Sequence, residues 1–124
     1  MKYLIQIYSN PESRAVWESF TPEQQVEGYA SYQAISGELA SRGELVASEA
    51  LADISLAKRV TNDEAGTVAS DGPFAETKEL LAGFYLVDVD DESRAVEIAS
   101  CFPEARFGLI EVRPVLEMTG GGDL

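Results

Sequence analysis

The strongest constraint on this chain is a helix whose two ends are both written in the sequence. Thr21-Pro22-Glu23-Gln24 offers a capping hydroxyl, a proline suited to the first helical position, and a glutamine that closes a capping box. The helix is predicted to run to Arg42 and to stop at Gly43, which accepts the left-handed conformation of a helix end. At about 100° per residue, Val26, Tyr29, Tyr32, Gln33, Ser36, Leu39 and Ala40 share one broad face. Ser36, Gly37 and Ala40 are small, so that face can lie close to a sheet.

The flanking sequence supplies the sheet. Tyr3 to Tyr8 is apolar, aromatic and β-branched, and Ser9-Asn10-Pro11 closes it; it reads as a strand buried on both faces. Residues 11–20 read as a loop or short helical turn carrying Trp17 and Phe20. Short strands are expected at Leu45 to Ala47, Lys58 to Val60 and Thr67 to Ser70, and a central strand at Leu80 to Val89. Asp90 and Asp91 can cap a second helix with the stripe Ala95, Ile98, Ala99 and Phe102, ended by Pro103. The last strand is expected at Leu109 to Val115. Two helices set between strands suit a sheet covered on one face, and a ferredoxin-like split βαβ subunit of the α+β class is the economical arrangement. The other sheet face would be bare, and an apolar bare face calls for a second copy, so a homodimer is predicted. Residues 1–118 read as one domain, and the glycine-rich residues 119–124 as a disordered tail.

Charge decides which partners fit. Nine Lys and Arg against 22 Asp and Glu leave −13, which disfavours nucleic acid and anionic membrane surfaces. The absence of histidine from the chain removes Ser-His, Cys-His and His-metal chemistry. The single cysteine, Cys101, cannot form an internal disulfide and reads as a small buried hydrophobe. The start of the chain does not resemble a signal peptide, no stretch is long and apolar enough to span a bilayer, and a cytoplasmic location is expected. Asp88-Val89-Asp90-Asp91-Glu92 lacks the glycine and the late glutamate of a calcium loop and reads as helix capping. Nothing in the chain reads as a cofactor loop, so no cofactor is expected, and the partner would be a small molecule or another protein.

The candidate site begins at Asp71-Gly72-Pro73-Phe74, a turn in which Asp71 can accept backbone N–H groups, Gly72 permits positive φ and Pro73 fixes the next φ. As structure alone it is an ordinary turn; as a site it holds the Asp71 carboxylate in a cleft. Lys78, in the alternating charges that follow, is available to an acidic ligand. Tyr32, on the sheet-facing side of the helix, needs a partner for its hydroxyl, and a carboxylate would serve.

Asp71-Gly72-Pro73-Phe74-Ala75-Glu76-Thr77-Lys78-Glu79 resembles the signature of DGPF-motif proteins in the YCII-related family. Met1-Lys2-Tyr3-Leu4, Gly83-Phe84-Tyr85 and Phe107-Gly108 leading to Glu111-Val112-Arg113-Pro114 extend the resemblance over nearly the whole chain. It implies a ferredoxin-like subunit that pairs as a dimeric α/β barrel, with a pocket between sheet and helices. In histidine-bearing relatives, a histidine on the first helix and an aspartate on a later segment are the suggested catalytic pair. Those positions fall on Tyr32 and Asp71 here, so a phenol replaces the imidazole. A phenol, with a free pKa of about 10, serves better as a hydrogen-bond donor than as a base. DGPF members are often encoded beside extracytoplasmic-function sigma factors, which implies an accessory or regulatory role.

Two readings follow. In the first, the chain is a dimeric small-ligand-binding module with Gly72, Pro73, Phe74, Lys78, Arg59 and Arg113 at the ligand. In the second, it is a cofactor-free enzyme with Asp71 as acid or base and Tyr32 as donor.

Overall fold

The computed structural model describes residues 1–71 and 78–118. Strand β1 (Lys2–Ser9) leads into helix α1 (Pro11–Ser19) and helix α2 (Pro22–Ser41), followed by strand β2 (Leu45–Ala50). A hairpin of β3 (Lys58–Asp63) and β4 (Gly66–Asp71) comes next. Then follow β5 (Leu80–Asp88), α3 (Glu92–Ser100), a 3₁₀ turn (Pro103–Phe107) and β6 (Ile110–Pro114). The main sheet has the order β2-β5-β1-β6 and antiparallel neighbours throughout. With α2 joining β1 to β2 and α3 joining β5 to β6, this is the expected α+β, ferredoxin-like arrangement.

The capping box at Thr21 forms as the sequence predicts: the Gln24 N–H donates to the Thr21 hydroxyl at 3.2 Å, and the Thr21 N–H donates to the Gln24 side chain at 2.9 Å. Gly43 ends the helix at φ 71°. Residues 11–19 are a true helix rather than a loop or a single turn. Asn10 and Ser13 build a second capping box there, and Pro11 occupies the first turn.

The core lies on one face of the sheet. Tyr3, Ile5 and Ile7 of β1 and Tyr85 and Val87 of β5 pack with Leu39 of α2, Ala95, Ile98 and Ala99 of α3, and Phe102. The α3 stripe is the one expected. The opposite sheet face carries Leu4, Phe84 and Leu86, all half-buried, so β1 alternates in burial instead of being enclosed on both sides. The α2 stripe is also rotated from the expectation. Gln25, Gly28, Tyr32, Ile35, Ser36 and Leu39 face inward, while Val26 and Tyr29 stay 65% and 62% exposed. The reason is α1: a Cβ on Gly28 would come within 2.8 Å of Trp17 Cζ3, so the indole of α1 packs directly on this turn of α2.

Gly83 marks the other close approach. A Cβ there would meet the Glu49 carbonyl oxygen at 2.8 Å, and the register of β1 against β5 slips just beyond it, between Ile7 and Tyr8. The β3–β4 hairpin forms a separate two-stranded sheet, exposed at every residue. Glu44, before β2, accepts a two-pronged ion pair from Arg94 of α3, from Nε at 2.9 Å and Nη2 at 2.8 Å. Cys101 is exposed at the end of α3, contrary to the expected burial, with its thiol directed at the Glu97 carbonyl at 3.5 Å. Among the described residues, no helix is long and apolar enough to cross a membrane.

Candidate functional site

Where α1, α2 and the Pro103–Phe107 turn meet the β2–β5–β1 side of the sheet, they form a half-open cavity of about 590 Å³. Such a volume suits a small organic ligand. Its wall carries a group of aromatic rings: Trp17 and Phe20 from α1 and its end, Tyr29 and Tyr32 from α2, Tyr85 from β5, and Phe107. Trp17 meets Tyr29 edge-on at 5.2 Å and 76°, and meets Phe20 at 5.8 Å. The Tyr32 ring stacks on Phe102 at 5.7 Å, and Tyr85 leans on the same Phe102 at 4.8 Å. Phe102 is 2% exposed and thus fixes both phenols from behind.

The polar end is built from Tyr32 and Glu104. The Tyr32 hydroxyl donates to the Glu104 carboxylate, within reach of both its oxygens. Burial pushes the Tyr32 phenol well above its ordinary range, and the hydrogen bond to Glu104 and the charge of that carboxylate push it further. The phenol therefore stays protonated with its proton directed at Glu104. The remaining lone pairs of Glu104 and of the Tyr32 oxygen are acceptors, so this end suits a ligand group that donates. Tyr85 is held by a hydroxyl–hydroxyl bond to Ser36 at 2.6 Å.

Two cations line the same cavity, Arg14 from α1 and Arg106 from the 3₁₀ turn. Arg14 is half-buried, and its Nη1 donates to the Ser9 hydroxyl at 3.4 Å. The Arg106 guanidinium lies 4.8 Å from the centre of the Phe107 ring. Among the described residues, no group of His, Cys, Asp or Glu side chains is placed to hold a metal ion.

Of the residues expected at the site, Tyr32 lines this cavity. Asp71 ends β4 on the hairpin, 78% exposed at its side chain and ion-paired with Lys58 across the strands. Arg59 lies on β3, Arg113 on β6 and Lys78 just before β5; all three are exposed and none is among the lining residues. Gly72, Pro73 and Phe74 lie outside the described residues. The carboxylate that meets Tyr32 is thus Glu104, not Asp71. Sequence reasoning passed over Glu104, Arg14 and Arg106. Only Pro103, read as a helix stop, marked the segment that carries two of them.

The sequence profile of the YCII-related domain matches residues 1–119. An uncharacterized protein of Rhizobium meliloti is 29% identical over 117 residues, covering 93% of this chain and 92% of that protein. Among solved structures, similarity extends to the 5-chloro-2-hydroxyhydroquinone dehydrochlorinase of Burkholderia phenoliruptrix in complex with 2,5-dihydroxybenzoquinone. The TM-score is 0.52, with 14% identity and 93% of each chain covered. At that identity the likeness is one of fold.

Proposed function

From the premise that this chain belongs to the YCII-related family, we propose that it is a small-ligand-binding protein whose site is the aromatic cavity at Tyr32 and Glu104. The observation that carries this reading is a half-buried phenol, Tyr32, whose hydroxyl donates to the Glu104 carboxylate in a wall that also carries Trp17, Phe20, Tyr29, Tyr85 and Phe107. A flat ring bearing a hydroxyl fits that wall, with its edge against Trp17 and Tyr29 and its hydroxyl donating to Glu104. The fold neighbour holds a dihydroxybenzoquinone, which supports hydroxylated rings as the first ligands to try.

The working unit in this reading is a cytoplasmic homodimer. Support comes from the sheet face that carries Leu4, Phe84 and Leu86, since the helical members of the core all pack on the other side. Light scattering is expected to give twice the mass of one chain. Its acidic surface, at −13, suits delivery of the ligand state to a basic protein partner, which is the accessory role that sigma-factor neighbours would imply.

Trp17 is the only tryptophan, so its indole N–H gives one unambiguous NMR signal inside the cavity wall. Titration with hydroquinone is expected to move that signal saturably. Tyr32→Phe is expected to weaken the affinity about tenfold, because the ring remains while Glu104 loses its donor and the cavity one acceptor. An indole signal that stays put up to millimolar ligand would overturn the reading.

A second reading has one observation behind it: the Glu104 carboxylate lines the cavity, where a general base to a ligand hydroxyl would have to stand. In that case the chain is a cofactor-free enzyme. Glu104→Gln would then abolish turnover of a hydroxylated ring even at ligand concentrations that saturate the variant.

A further inference from the structure

The cavity has a second polar feature that the Tyr32–Glu104 pair leaves unused. In a chain with 22 acidic residues, Arg14 makes no ion pair among the described residues, and the carboxylate that feels its charge, Asp53, does so only as a minor influence. Glu18 lies four residues on along the same helix, the usual spacing for a helical ion pair, and it too lines the cavity. Arg14 nevertheless directs Nη1 to Ser9, a lining residue at the end of β1. A half-buried guanidinium held by a hydroxyl keeps most of its five donors for something else. Arg106, also in the wall, is occupied on one face by the Phe107 ring and makes no ion pair among the described residues.

The two polar features differ in kind. Glu104 accepts, and its one nearby donor is already spent on it. Arg14 only donates and carries full positive charge. A ligand that satisfies both has a hydroxyl on one side and an anionic group on the other. Both line a cavity that also carries Trp17, Phe20, Tyr29, Tyr85 and Phe107, which suit the body of an aromatic molecule.

We infer that the cavity takes a hydroxylated aromatic carboxylate, its hydroxyl on Glu104 and its carboxylate on Arg14, with Arg106 as a secondary cation. This inference rests on the cavity being a ligand site at all, as proposed above. The carboxylate is favoured over a phosphate ester because it meets the guanidinium fork with two oxygens while carrying a single charge. Glu18 and Glu49 at the wall oppose a higher charge.

The test uses the full chain and pairs of matched ligands: 3- and 4-hydroxybenzoate and 4-hydroxyphenylacetate, each against its neutral amide. The Trp17 indole signal is the readout, and the same spectra report whether each variant is folded. Each acid that spans the two groups is expected to bind about tenfold tighter than its amide, the usual gain from charge-assisted bonds. Arg14→Gln is expected to shrink that acid-to-amide ratio to about twofold, and Arg14→Lys to restore part of it. If amides bind as well as acids, the anion assignment falls and the ligand site stands. A preference that survives Arg14→Gln removes Arg14 from the role. If neither acids nor amides move the indole signal, the ligand site falls as well.

Discussion

The cavity wall and the β3–β4 hairpin are built on opposite principles. The wall is rigid because each group has a neighbour fixed by another element. Phe102 supports two phenols, Gly28 admits Trp17, and Glu104 reaches Tyr32 across 72 residues of chain. The hairpin is held by its own strands and by pairs such as Lys58–Asp71, and all of it faces solvent. Orientation of a side chain for chemistry needs the first kind of support. The sequence motif that draws the eye, beginning at Asp71, starts in the second kind of region.

The contrast can be broken by substitution. Phe102→Ala is expected to cost about 3–5 kcal/mol, as a large buried aromatic removed from a packed core does. Thermal unfolding measures it, and a cost below about 1 kcal/mol would mean that the wall is not braced as described. Glu44 supplies a milder test in the same packed body. The hydrogen bonds from Arg94 hold its carboxyl below the ordinary 4.5; burial opposes them as the next largest influence, and the charges of Arg94 and Arg42 add smaller lowering contributions. A carboxyl whose pKa is lowered by folding contributes stability that is complete above about pH 4.5 and is lost as pH falls through the lowered value. Glu44→Gln is therefore expected to flatten the loss of stability on acidification below that pH, while leaving the slope near neutrality unchanged. The smallest effects belong to the hairpin. Val68→Ala, on a strand exposed throughout, is expected to stay within about 0.5 kcal/mol of the parent, and breaking the exposed Lys58–Asp71 pair within about 1 kcal/mol. A larger loss would show that something packs on the hairpin in solution.

The fold was legible where local chemistry decides it. The Thr21 capping box, the Asp91 cap and the Ala95–Ile98–Ala99–Phe102 stripe formed as their residues predict. Helix α1 was read only as a loop or short helical turn, although Asn10-Pro11 and Ser13 carry the capping box that starts it. The α2 face was misjudged because polarity alone cannot say that a neighbouring helix takes one side of it; Tyr29 is exposed yet lines the cavity beside Trp17. The site was the least legible part. Tyr32 could be picked from its helix face, but its partner is one of 22 acids, and nothing near Pro103 distinguishes Glu104 as the one that the fold returns to it. A motif advertises itself by adjacency in sequence, whereas the cavity is assembled from strands, helices and a turn drawn from residues 7–107.

The most direct test of the account is a three-way titration with hydroquinone, read at the Trp17 indole, of the parent chain, Glu104→Gln and Asp71→Asn. The account predicts that Glu104→Gln weakens the affinity about tenfold or more, since an acceptor inside the cavity has been lost. It predicts that Asp71→Asn stays within about twofold of the parent, because the exposed hairpin carboxylate is paired with Lys58 outside the cavity wall. Binding abolished by Asp71→Asn and indifferent to Glu104→Gln would contradict it, and would move the site to the turn that begins at Asp71.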